Sequence, residues 1–436
     1  RLYPIRMEKD SLLYRIKEGF SDTCYIWVKE IRSTITDEGV LLFCIIVPLL
    51  YPLLYSWIYN NEVVRDVPVA VVDLSHSHAS RQFIRYFDAS PDTHVAYYCH
   101  SLDEAKDLTG KQKVHGTLYF PPNFDTKLYR GEQAVVSVYT DMSLMLTYKA
   151  IMTAAQGVSS KMNAQIQIAQ GGGYTDRDNE ISTLPLDFEE VPIFNTPVGY
   201  GNAILPGVLM LILQQTLLLG IGLAAGTARE NNRYKDLVPI SKHYNGIFRI
   251  VLGKSLCYFM VYAVMGTYLA LAVPHMFGFI SLVSVSSILG LLLPYILASI
   301  FFGMMLSCLV RYRENVILLV VFTSVPFLFM TGLSWPENNI PGYWKGISYL
   351  IPSTFGVRGF LRISSMGAEL SDIIFEYHAL WIQVFVYFII TCLVYRYQIN
   401  RTKQHAYDHL QKVKEKIANA KQRKLRENSA LNNQEN

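Results

Sequence analysis

The sequence predicts a mixed membrane protein: a six-helix α-helical transmembrane domain carrying an inserted extracytoplasmic α/β domain. Three observations predict it. Of 436 residues, 51% are hydrophobic and only 17% charged, against about 25% charged in soluble domains. The charge is sorted along the chain: residues 60–200 carry 11 basic and 17 acidic groups, whereas 396–436 carry 10 basic and 4 acidic. Around the acidic region lie apolar segments of the length that crosses a bilayer. A net charge of +4 is too small to suggest nucleic acid, and 13% aromatics exclude a disordered chain. Of the six cysteines only Cys99 falls in the insert, so no disulfide staples that domain.

Residues 1–39 are polar, yet Phe20, Cys24, Trp27, Val28, Ile31 and Ile35 recur at three- and four-residue spacing. That spacing predicts an amphipathic helix, lying in the membrane interface or packed on a protein surface. Residues 40–59 are uncharged and form a first span, with Pro48 and Pro52 expected to bend it. The run begins too late for a secretory h-region, so it should persist as a span.

Within 60–200, VPVAVVD (67–73), HVAYYC (94–99), VHGTLYF (114–120) and AVVSVYT (134–140) read as strands. Helices are expected around 77–87, over 101–108 with a Ser101/Glu104 capping box, and from the Ala/Met/Gln-rich stretch to about Ala169. Strands alternating with short helices predict a small mixed sheet with covered faces. Five further apolar segments follow, at 203–226, 250–273, 282–310, 316–333 and 379–395. The 282–310 segment is overlong, so tilt or a kink at Pro294 is expected.

Loop charges set the orientation. Residues 227–249 hold Arg229, Arg233, Lys235, Lys242 and Arg249 against two acids, whereas 274–286 hold no Lys or Arg. Positive charge stays inside, which places both termini, the 227–249 loop and the basic tail 396–436 in the cytoplasm. The acidic insert and 334–378 then face outward. The latter is too apolar for a solvated loop, and broken helices dipping into the outer leaflet, shielded by protein, would explain it. The tail reads as a basic helix anchored electrostatically at the inner leaflet.

The chemistry is mostly negative. Gly253-Lys254-Ser255 has Phe248 where a phosphate-binding loop needs its first glycine, so Lys254 reads as a residue snorkelling at the end of its span. The spans hold no Asp, Glu, Arg or His, which disfavours proton-coupled transport. Gln214 and Gln215 are polar but do not titrate. Histidines 76, 78, 94, 100 and 115 lack regular ligand spacing and read as surface residues, and Asp73 as the end of a strand. The small residues of the second span, Gly207, Gly220, Gly222 and Gly226 among them, suit close packing within the protomer or across a dimer. Segment 226–240 is either a partner-contacting helix end or a solvated turn. An enzyme would need convergent groups such as Glu337, Glu369, Asp372, Glu376 and His378.

Several stretches carry a resemblance. VPVAVVDLSHSHASRQFIRYFDAS (67–90), HGTLYFPPNFDTKLYRG (115–131), FNTPVGYGNAILPG (194–207), Arg229-Glu230 through Val238-Pro239, and TGLSWPENNIPGYWKGISYLIPSTFGVRGF (331–360) are similar to the permeases of ABC-2 type ATP-driven exporters. The chain most resembles the bacterial six-span subgroup with a large periplasmic domain after the first span. It departs from that pattern at Asn231–Lys235 and at Thr36-Asp37-Glu38. The resemblance implies a non-catalytic subunit of the cytoplasmic (inner) membrane, binding no cofactor, with ATP and Mg on a partner ATPase. A cytoplasmic ABC ATPase dimer, a second identical or paralogous permease, and a periplasmic adaptor with an outer-membrane channel are the implied partners. Trp27, Glu30, Arg229, Glu230, Arg233, Lys235 and Asp236 would contact the ATPase. Trp335, Pro336, Pro341, Pro352 and Phe355 would form the external gate. The expected activity is outward movement of an amphiphilic, drug-like molecule; the alternative is a membrane-anchored extracytoplasmic sensor or scaffold.

Overall fold

The structure, a computed structural model, describes residues 12–60, 63–171, 175–178, 193–195, 199–232, 236–238, 244, 246–310 and 312–432. The chain divides into two compact units, 61–193 and the sequence on either side of it.

The membrane unit begins with helix α1 (Leu12–Thr36), which ends at Asp37. The extended backbone of Asp37 breaks the helix, and its carboxylate accepts the Gly39 and Val40 N–H groups to start α2 (Glu38–Ile58). A π-helical turn at Leu42–Ile46 precedes Pro48, whose nitrogen has no hydrogen to donate, so the ladder widens where a bond is missing.

The second unit holds β1 (Val67–Asp73), α3 (His78–Asp88), β2 (Thr93–Tyr98), α4 (Leu102–Gly110), β3 (Gly116–Phe120), α5 (Phe124–Tyr129), β4 (Ser137–Thr140) and α6 (Met145–Gly171). The sheet order is β2-β1-β3-β4; β1 is parallel to both neighbours, and β4 closes the edge antiparallel to β3. Alternation along β1 decides the two cores. Val67, Val69 and Val71 pack with Phe83, Phe87 and Ile151, whereas Ala70 and Val72 pack with Ala105 and Val114. Both faces are therefore covered. At α4 Ser101 caps the Glu104 N–H, but the Glu104 carboxylate reaches the His100 N–H instead of closing the box. The reciprocal box occurs at Ser77 and Ser80, before α3.

Back in the membrane unit come α7 (Tyr200–Asn231), α8 (Ile247–Met276), α9 (Val285–Ser307), α10 (Arg313–Met330), α11 (Gly342–Ser348), α12 (Pro352–Met366) and α13 (Ile374–Asn432). Among the described residues six helices are long and apolar enough to cross a membrane: α2, α7, α8, α9, α10 and residues Ile374–His405 of α13. α7, α8 and α13 run past their apolar segments at both ends, whereas α9 stops inside the expected 282–310 segment and α10 ends at Met330, within 316–333. In α8 a second π-helical turn, Tyr268–Ala272, again precedes a proline, Pro274.

α7 is the buried centre. Its small residues pack within the protomer: a Cβ added at Gly220 would collide with the Cys44 Sγ on α2. Gly222 faces Val316 and Gly226 faces Arg313 in the same way. The Tyr295 hydroxyl ties α9 to the Met210 carbonyl at 2.6 Å, and Thr391 ties α13 to the Phe301 carbonyl at 3.0 Å. Exposed apolar side chains such as Trp57, Phe322 and Phe385 cover the outside, which suits a lipid-facing surface.

Candidate functional site

At the cytoplasmic end of the bundle, α1 lies against α8 and buries Ile26 over Gly253, where a Cβ would meet the isoleucine at 2.9 Å. Three ion pairs hold the helix and its following turn. Asp22 pairs with Arg249 at 2.5 Å, Glu30 with Lys254 at 2.8 Å, and Asp37 with Arg313 at 2.8 Å. The middle pair is the driest, with side chains 11% and 9% exposed, and Glu30 also accepts the Tyr258 hydroxyl at 2.9 Å. Lys254 therefore does not snorkel to water. An acid on α1 meets it inside the protein.

Asp37 is the joint of the assembly. Besides capping α2 and binding Arg313 on α10, it accepts the Thr227 hydroxyl of α7 at 2.5 Å. Burial pushes the Asp37 carboxyl up, but the bonds from Thr227 and Val40 and the Arg313 charge outweigh it and hold the group below its ordinary value. One side chain thus links α1, α2, α7 and α10.

The other expected contact residues are divided by their surroundings. Arg229 is buried and donates to the Cys308 carbonyl at 3.0 Å, joining the ends of α7 and α9. Asp236 is buried and receives His405 of α13 at 3.2 Å. Glu230 is exposed at the end of α7. Trp27 is half-buried on α1. Arg233 and Lys235 lie outside the described residues. Missing from the sequence-based set are Asp22, Asp37, Arg249 and Arg313; an isolated acid near an apolar run carries no sign of a partner more than 200 residues away.

On the opposite side, Trp335 and Pro336 lead into a short 3-10 turn, and Pro341 precedes α11. Pro352 opens α12, the pre-set φ of proline suiting a first helical turn. α12 is buried on α7, α9 and α13: Phe355 meets the Tyr349 ring at a tilt and the Phe375 ring edge-on, and a Cβ at Gly356 would collide with the Tyr295 ring. α12 is apolar because it packs within the bundle, whereas Trp335, Tyr343, Trp344, Ile347 and Leu350 before it are exposed. Glu337 binds both Lys345 and Arg358 at 2.9 Å, and Arg358 also donates to the Thr331 carbonyl at 3.1 Å.

Burial raises the Glu337 carboxyl, but Lys345 and Arg358 overcome it and bring the group below its ordinary 4.5. A carboxyl lowered in the folded state stabilises fully above its ordinary value and loses that contribution as pH falls through the lowered one. Melting temperature is therefore expected to drop on acidification below about pH 4.5, with a smaller drop in Glu337→Gln. Equal acid sensitivity in both proteins would contradict the assignment. Glu376 pairs with Arg362, Asp372 caps the Glu369 N–H, and His378 bonds the Ile374 carbonyl, so these groups serve local structure.

No curated protein matches the chain. The family described as ABC-2 family transporter protein matches residues 39–393, a stretch that runs from the start of the first span into the sixth and takes in the inserted α/β unit and the buried helix α12. A six-span bundle with a sheet domain inserted after its first span, matched over most of its length, makes this chain a member of the ABC-2 transporter family.

Proposed function

We propose that the chain is the permease subunit of an ATP-driven exporter in a bacterial inner membrane, moving an amphiphilic small molecule outward on energy from a separate cytoplasmic ATPase dimer. A second permease, identical or paralogous, completes the pathway, and a periplasmic adaptor with an outer-membrane channel receives the cargo. The observation that carries this reading is the attachment of α1. Its ion pairs reach α8 through Arg249 and Lys254, and Asp37 at its end reaches α10 through Arg313 and α7 through Thr227. A partner that shifts α1 therefore shifts three spans at once, which is what transmission of a cytoplasmic motion to a membrane pathway requires.

In this reading Glu30, Arg229 and Asp236 brace the face from within. Glu230, with Trp27, Arg233 and Lys235, meets the ATPase. Trp335, Pro336, Pro341, Pro352 and Phe355 belong to the external gate. The test is reconstitution with the co-purifying ATPase. Glu230→Gln is expected to leave the melting temperature unchanged and to reduce substrate-stimulated ATP turnover about tenfold, the loss of one charged contact. Unchanged stimulation, or a stable assembly isolated without any ATPase, would overturn the proposal.

A further inference from the structure

Three histidines from two stretches of sequence, His76 and His78 after β1 and His100 after β2, share one cavity in the α/β unit. Because β1 and β2 are parallel neighbours, the segments leaving their carboxyl ends emerge side by side. Between them lies a cavity of about 690 Å3, lined by His76, His78, Arg81, Arg85, Tyr98 and His100. Small-molecule sites run from about 300 to 1,000 Å3, and this cavity falls within that range.

The wall is positively charged. Its one carboxylate, Asp73, is already occupied: one oxygen accepts the Ser75 and His76 N–H groups at 3.0 Å, the other the Ser80 hydroxyl at 2.7 Å. Among the described residues, neither Arg81 nor Arg85 pairs with a carboxylate. Arg81 donates to the His76 carbonyl at 3.2 Å, holding that residue at a left-handed φ of 47°. Such a conformation is uncommon for a residue with a Cβ and is retained here by the bonds on either side of it. The imidazoles do not converge: among the described residues no three His, Cys, Asp or Glu side chains are placed to hold a metal ion. Donors spread around a wall suit an extended anion.

We propose that this cavity binds a small organic anion bearing two or more oxyanion groups, phosphate or carboxylate. Arg81 and Arg85 supply permanent charge and a planar fork that matches an oxyanion, and His76, His78 and His100 supply further donors. The site belongs to the inserted unit and requires no assumption about what the membrane unit transports.

The test is calorimetric titration of the full chain, held in nanodiscs of zwitterionic lipid, with pyrophosphate and with citrate. Saturable binding is expected for at least one of them. Arg85→Gln and Arg81→Gln should each weaken it about tenfold, the loss of one charge-assisted contact. Lys106→Gln, on an exposed part of α4, should leave it unchanged. Arg81 also holds the His76 carbonyl, so Arg85→Gln decides the matter if Arg81→Gln fails to fold. Nanodiscs containing phosphatidylglycerol separate two sources of the same chemistry. Competition that disappears in Arg85→Gln identifies a lipid headgroup, and undiminished binding identifies a soluble anion; either supports the site. No saturable binding of either anion, or an affinity unaltered by Arg85→Gln, would overturn it.

Discussion

Replacing Lys254 with methionine is expected to destabilise the membrane unit by about 3–5 kcal/mol, as the loss of one partner from a buried ion pair does. Glu30 would remain inside the protein with, among the described residues, the Tyr258 hydroxyl as its hydrogen-bond donor. Glu30→Gln should act in the same direction by stranding the ammonium group. The double variant Glu30→Gln/Lys254→Met removes both charges together, and most of the lost stability should return. Thermal unfolding in detergent across the four proteins reads the coupling directly. Additive losses would show that the two side chains do not depend on each other. Arg249→Met should cost less, because that guanidinium is 27% exposed and water replaces part of what is lost.

The second large effect has the opposite sign. Gln214 is fully buried in α7, and among the described residues neither its amide nitrogen nor its oxygen meets a hydrogen-bond partner; the same holds for the Gln215 amide next to it. A buried polar group without hydrogen bonds costs about 1–3 kcal/mol, so Gln214→Leu is expected to raise stability by about that amount. Such a cost persists where the group gains partners in another state. In the transport cycle proposed above, the amides of the central helix would be satisfied when the bundle rearranges or cargo passes. Gln214→Leu should therefore melt higher yet transport more slowly in vesicles loaded with substrate. A variant that is stabilised and fully active would remove Gln214 from the cycle.

The covered sheet and the spans were legible in the sequence because their causes are local. Val67, Val69 and Val71 alternate with Ala70 and Val72 within seven residues, and a bilayer tests each window of about 20 residues for polarity on its own. The candidate site was legible only in part. Arg229-Glu230 stood out as a charged end to an apolar run, but burial of Arg229 against the Cys308 carbonyl and exposure of Glu230 depend on where α9 ends. Lys254 looked like a snorkelling residue because its partner, Glu30, stands 224 positions earlier. The insert's histidines read as surface residues, and His76, His78, His94 and His100 are indeed exposed; what their spacing could not show is that β1 and β2 end side by side.

The sequence by itself, through the order of its apolar windows and the charge between them, therefore determined that this is a six-span membrane protein with an acidic external domain and basic internal loops, since scarcity of charge in each span follows from the cost of burying it in lipid. Tertiary structure alone decided which few charges are admitted and where they go. A charge enters the interior only when an opposite charge or a hydrogen-bond donor arrives to meet it. At Glu30, Asp37 and Asp22 those partners come from helices far along the chain, which only folding brings together.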